Sequence, residues 1–118
     1  MRRILVVDDD EAIQAFVSMS LANEGFSVRI ASDGMQALKL VAEDSPALIL
    51  LDMRMPNMNG REFINAYHQT NGPHAPIVVM TAGRSKDSST DALNIQGILA
   101  KPFDLDDLLK LVENITGS

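Results

Sequence analysis

The chain has no cysteine among its 118 residues. Disulfides, thiol catalysis and Cys-ligated zinc are therefore excluded. Positive charge is scarce as well: ten Lys and Arg face sixteen Asp and Glu, a net charge of −6. Binding a phosphate backbone needs clustered Lys and Arg, so direct contact with nucleic acid is not expected. Long hydrophobic runs are also missing. Met1-Arg2-Arg3 is basic, but the apolar stretch behind it, Ile4 to Val7, meets Asp8 at once. That is too short for a secretory signal or a membrane span, so a cytoplasmic protein is expected. No linker, repeat or low-complexity segment interrupts the chain. With 46% hydrophobic and 22% charged residues, it has the make-up of a soluble globular domain, read here as one unit over residues 1–118.

What is present is a set of short apolar runs, each ending at a residue able to handle a metal or a phosphate. Ile4-Leu5-Val6-Val7 stops at Asp8 and Asp9, and Ala47 to Leu51 stops at Asp52. Ile77 to Met80 stops at Thr81, and Ile98-Leu99-Ala100 stops at Lys101. Runs of this length, separated by helical patterns, read as buried strands of a parallel sheet. A fifth run, Phe26 to Ile30, alternates as a half-exposed edge strand should. Between the runs lie helical faces: Ile13, Phe16, Val17, Ser20 and Leu21 before the stop at Gly25, then Ala37, Leu38 and Val41 after Ser32-Asp33-Gly34. Phe63, Ile64 and Tyr67 follow Asn59-Gly60. Ser85 to Asn94 is a short, weakly helical stretch, and Asp104 caps a last helix with Leu105, Leu108, Leu109, Val112 and Ile115 facing inward. The result is an α/β fold, (βα) five times over, a flavodoxin-like doubly wound three-layer sandwich. Its strand order 2-1-3-4-5 sets the first and third strands side by side. The carboxyl ends of all strands then share one edge, where ligands bind in such sheets.

That edge would hold three carboxylates. At about 4 Å and an effective dielectric near 20, each like-charge pair costs roughly 4 kcal/mol. Such a cluster persists by raising a pKa, by binding a cation, or both. An all-oxygen set with room for water suits Mg²⁺ better than Ca²⁺. Lys101 adds a point charge for a phosphate and Thr81 a hydroxyl donor. Asp52 is the carboxylate best placed to act as a nucleophile and form an aspartyl phosphate.

Val6-Val7-Asp8-Asp9, Leu51-Asp52-Met53-Arg54-Met55-Pro56-Asn57-Met58-Asn59-Gly60, Thr81-Ala82 and Lys101-Pro102-Phe103 resemble the receiver domain of two-component response regulators, of the single-domain, chemotaxis-regulator-like kind. The resemblance runs from Arg2 to about Ile115. It implies that Asp52 accepts a phosphoryl group from a phosphohistidine on a sensor histidine kinase or a histidine phosphotransfer protein. It implies Mg²⁺ held directly by Asp9, through water by Asp8, by Asp52, and by the main-chain carbonyl of Arg54. Thr81 and Lys101 would hold the phosphoryl group, with a cis peptide at Lys101-Pro102. Such a protein catalyses its own phosphorylation and slow dephosphorylation without being a turnover enzyme, and it signals by changing the surface shown to a downstream protein. Ser118 is followed by no output domain, so the chain reads as either a stand-alone regulator or a piece of a longer one.

Two departures from the family pattern stand out. Ile98 occupies a position that usually carries Tyr or Phe, which removes an aromatic switch. The segment between Thr81 and Lys101 is a residue or two short, so signalling is expected to run through Thr81–Arg84 and the weakly helical stretch, with residues 82–95 gaining hydrogen-exchange protection on phosphorylation. Other readings use the same residues differently. Asp10 and Glu11 suit a helix N-terminus; Thr81 alone suits a strand and Lys101 alone a surface. Met53, Met55, Met58 and Met80 suit packing, and His68 and His74 have no partner motif. An aspartate-nucleophile phosphatase wants a second acid where Arg54 stands. A flavin mononucleotide carrier would meet repulsion from Asp8-Asp9-Asp10. A degenerate receiver serving only as a docking module would not need Asp9, Asp52, Thr81 and Lys101 all intact.

Overall fold

The structure is a computed structural model that describes residues 2–55, 58–82 and 95–117. Five parallel strands, β1 (Arg3–Val7), β2 (Ser27–Ala31), β3 (Leu48–Asp52), β4 (Ile77–Ala82) and β5 (Gly97–Lys101), form one sheet in the order β2-β1-β3-β4-β5. The described helices are α1 (Glu11–Asn23), α2 (Gly34–Glu43), α3 (Gly60–His68) and α4 (Leu105–Thr116). The stretch Ser85 to Asn94, expected to be weakly helical, lies outside the described residues. Among the described residues, no helix is long and apolar enough to cross a membrane.

The bodies of the central strands are apolar because both of their faces are covered. Side chains alternate along a strand, so β1 and β3 divide their residues between two cores. Ile4, Val6, Leu48 and Leu50 pack with Val17 and Leu21 of α1 and with Leu108 and Val112 of α4. Leu5, Val7, Ile49 and Leu51 pack with Ala37 of α2 and with Phe63, Ile64 and Tyr67 of α3. Truncating a side chain such as Leu50, fully buried, would cost about 2–5 kcal/mol.

Each helix starts where a short polar side chain meets its orphan amides. Asp10 accepts from the Ala12 N–H, Asp33 from Gln36 and Asp104 from Asp107. Asn59 and Glu62 form a reciprocal capping box at the start of α3. Gly25, at φ 94°, ends α1 in the left-handed conformation that glycine adopts without strain.

Three local expectations need correction. Phe16 is 39% exposed and Leu105 43% exposed, so neither faces inward. In α1 the buried stripe is centred on Val17 and Leu21, a spacing of four that leaves Phe16 at its flank. Its ring leans on Phe103 instead, centroids 6.1 Å apart. Leu105 lies in a first turn whose neighbours Asp104, Asp106 and Asp107 are all exposed, so that turn faces water. In β2 the alternation breaks at its far end, where Arg29 and Ile30 are both exposed; β2 is the edge strand and has no outer neighbour.

Candidate functional site

The register brings the strand ends together. Val7 pairs with Leu51, Asp52 with Met80, and Thr81 with Ala100, while Lys101 lies across from Ala82. Asp8 and Asp9 follow β1 directly. The carboxylates of Asp8, Asp9 and Asp52 each place an oxygen within 4.8 Å of the others. Asp8 is fully buried and Asp52 nearly so, whereas Asp9 is exposed.

Lys101 reaches into this cluster. Its Nζ lies 2.8 Å from Asp8 Oδ2 and 3.7 Å from Asp52 Oδ1, and the Lys101-Pro102 peptide is cis. The Asp10 N–H donates to the other Asp8 oxygen, Oδ1, at 2.9 Å. Asp52 has less support: among the described residues it accepts one hydrogen bond, from the Arg54 backbone N–H at 3.4 Å. Its carboxyl is consequently pushed up to about 6, first by burial and then by the charge of Asp8, with Lys101 and the Arg54 N–H pulling the other way. Burial alone would lower the Lys101 ammonium, but its hydrogen bond to Asp8 and the charges of Asp52 and Asp8 hold it above its ordinary value. Thr81 completes the edge. Its Oγ1 is buried and, among the described residues, is the buried side-chain oxygen or nitrogen that lacks a hydrogen-bond partner. Such an atom costs stability unless a ligand meets it.

Two further residues shape the pocket. Gln14 of α1 donates from Nε2 to the main-chain oxygen of Asp8 at 2.6 Å and lies 3.3 Å from Ser32 Oγ. It ties the corner that carries Asp8 and Asp9 to the end of β2. The sequence pattern gives no sign of this role, because a glutamine beside Ile13 reads as an ordinary solvent-facing helix residue. Gly60, which read only as a helix start, lies against the chain just after Asp52. A Cβ there would stand 2.7 Å from the Met53 Cα and 2.9 Å from the Asp52 carbonyl oxygen. Backbone that close leaves room for no other residue, so α3 is seated directly under the end of β3.

Site residues that follow or end four different strands thus meet at one edge. The response regulator receiver domain family matches residues 4–113. The chain belongs to that family. This receiver domain is 41% identical over 109 residues to the response regulator MprA of Mycolicibacterium vanbaalenii, an alignment covering 91% of the chain and 47% of that protein. The chain therefore spans about half the length of such relatives. Among solved structures, the receiver fold overlays chemotaxis response regulator CheY4 of Vibrio cholerae with a TM-score of 0.89 at 32% identity, covering 98% of each chain. A putative response regulator from Chloroflexus aurantiacus overlays with a TM-score of 0.89 at 26% identity, covering 99% of this chain and 98% of that one. Within this receiver domain, Ile98 is an aliphatic side chain on β5, 43% exposed. Arg84 and the other residues of the proposed signalling segment beyond Ala82, up to Asn94, lie outside the described residues.

Proposed function

We propose that the domain is a phosphorylation-operated switch in which Asp52 takes a phosphoryl group from the phosphohistidine of a sensor histidine kinase or histidine phosphotransfer protein. A carboxylate oxygen of Asp52 attacks phosphorus in line and forms an acyl phosphate. The P–N bond breaks, its electron pair goes to the imidazole nitrogen, and a proton from water restores the neutral ring. The observation that carries this reading is the pairing of an under-supported carboxylate with an unmatched hydroxyl and an ammonium at the same edge. Asp52 is ionised at neutral pH but carries little hydrogen bonding of its own, while the Thr81 hydroxyl has no partner among the described residues. Lys101, a few ångströms from Asp52, is placed to meet the added phosphoryl charge.

The donor set fits a hard divalent cation. Three carboxylates with no sulfur or imidazole among them favour Mg²⁺. Both Asp8 oxygens already accept hydrogen bonds, which suits Asp8 to hold the ion through water and leaves the exposed Asp9 as the direct protein ligand. Asp52 and the main-chain carbonyl of Arg54 complete the proposed set. When bound, Mg²⁺ would neutralise phosphoryl oxygens and offset the repulsion among the carboxylates. Arg54 offers no acid to drive hydrolysis, so the reading is of a switch that phosphorylates itself and decays slowly, acting in the cytoplasm on a downstream protein.

Incubation with acetyl phosphate and Mg²⁺ should add one phosphoryl group, and EDTA should prevent it. Asp52→Asn should abolish the label; a labelled Asp52→Asn variant would overturn the assignment. A folded wild-type protein that never takes the label would leave only a docking role.

A further inference from the structure

At the opposite end of the sheet from the carboxylates, the chain between α3 and β4 folds back so that His68 and His74 meet. Their ring centroids lie 5.4 Å apart with planes at 69°. Both sit beside Tyr67, at 6.1 Å and 4.8 Å. The hydrogen bonds select the tautomer of the neutral His74 ring. Its Nε2 lies 3.0 Å from the Thr70 carbonyl oxygen, which only accepts, so Nε2 carries the hydrogen. The Thr70 hydroxyl donates its own hydrogen to the Tyr67 carbonyl at 2.6 Å, and so also accepts from Nε2, at 3.1 Å. Among the described residues no hydrogen bond occupies His74 Nδ1, whose lone pair is left for a ligand. A ring nitrogen donating to a backbone carbonyl while the other ring nitrogen holds a metal is the usual arrangement of a metal-binding histidine.

The spacing of the two rings agrees. With metal–nitrogen bonds of about 2.0–2.1 Å, each ring centre stands about 3 Å from a tetrahedral ion, and two such centres lie about 5 Å apart. We propose that His68 and His74 form a second cation site, for a borderline transition ion such as Zn²⁺, with water filling the remaining positions. It is separate in place and in chemistry from the hard-cation cluster, because paired imidazoles select borderline transition ions where carboxylates select Mg²⁺. Burial, and then the nearby His74, hold the His68 ring below its ordinary pKa, so it is neutral and able to ligate at pH 7. An ion here would clamp the end of α3 to the loop that leads into β4.

The test is a Zn²⁺ titration in saturating Mg²⁺, followed by calorimetry and by the histidine ring resonances. The wild type should take up one equivalent with shifts at both rings. His68→Asn and His74→Asn should each weaken the affinity by about tenfold or more, while Asp9→Asn leaves it unchanged. Because His74→Asn also removes the contact to Thr70, His68→Asn is the cleaner arm. Loss of binding in Asp9→Asn with both histidine variants unaffected would assign the zinc to the acidic cluster and overturn the proposal. Dependence on only one histidine, or no uptake in the wild type, would overturn it equally. None of these outcomes bears on labelling at Asp52.

Discussion

The two ends of the sheet treat polar groups in opposite ways. At the amino end, polar groups of the strands and their flanking loops are matched. Arg3 pairs with Asp44 at 2.6 Å, Gln96 returns its side-chain oxygen to the Ile77 N–H at 2.7 Å, and the Tyr67 hydroxyl accepts the Ala75 N–H at 2.7 Å. At the carboxyl end, three carboxylates crowd one ammonium, and among the described residues a buried hydroxyl goes unmatched. The same strands and the same register make both ends. What differs is that these amino-end groups find their partners within the chain, whereas the carboxyl end leaves a buried hydroxyl and a crowded carboxylate with little support. Groups left unpaired in a buried place cost stability, so the contrast can be measured as well as seen.

Asp52→Asn should produce the largest effect. The folded carboxyl titrates near 6 and the unfolded one near 3.8. As the pH rises through that window the unfolded chain releases its proton first, so the folded state loses stability, by up to about 3 kcal/mol once the titration is complete. Without a divalent cation, Asp52→Asn should lack this decline and melt at a higher temperature than wild type at pH 7. Mg²⁺ should narrow the gap by stabilising the wild type by mass action. A wild-type stability flat from pH 4 to pH 6, or a variant that melts lower, would mean that Asp52 is not under strain.

A pair of hydroxyl deletions sets the two ends directly against each other. Tyr67→Phe leaves the Ala75 N–H without its acceptor and should destabilise by about 1–2 kcal/mol. Thr81→Val keeps the shape of the side chain and removes a buried hydroxyl that had no partner, so it should be neutral or stabilising by about 1 kcal/mol. Denaturant unfolding of both variants reads the difference. Equal losses would show that Thr81 finds a partner in solution and that the two ends are alike.

The strand bodies and their order were legible in the sequence because β1, β3 and β4 are covered on both faces and so are continuously apolar. The convergence of Asp8, Asp9, Asp52, Thr81 and Lys101 followed from the order alone, since parallel strands end on one edge. Helix starts at Asp10, Asn59 and Asp104 were legible from their capping side chains. What could not be read depended on packing at the margins. Phe16 and Leu105 have the right composition for a core but sit at the edge of a stripe and in an exposed first turn. The meeting of His68 with His74 depends on a turn through Thr70 and Gly72 that no periodicity encodes. Gln14 was hidden for a related reason: its contact is with a backbone oxygen, and backbone oxygens leave no mark in a sequence.

Gln14→Leu is the finest of these probes. The substitution keeps the approximate bulk of the side chain but removes the donor at 2.6 Å from the Asp8 carbonyl oxygen. Asp8 keeps its N–H bond to the Ala31 carbonyl at 3.0 Å, so the strand stays in register and the fold should survive. The corner beyond it loses one of its ties, and with it some of the order that holds Asp9 next to Asp52. One hydrogen bond of this kind contributes about 1 kcal/mol, which corresponds to a several-fold weaker Mg²⁺ midpoint. Labelling of Asp52 should still reach completion when Mg²⁺ is saturating, because Asp52, Thr81 and Lys101 are untouched. Gln14→Glu should weaken the midpoint as well, since a carboxylate cannot donate to a carbonyl. An unchanged midpoint in both variants would show that the Ala31 bond and the Asp10 cap hold the carboxylates without help from α1.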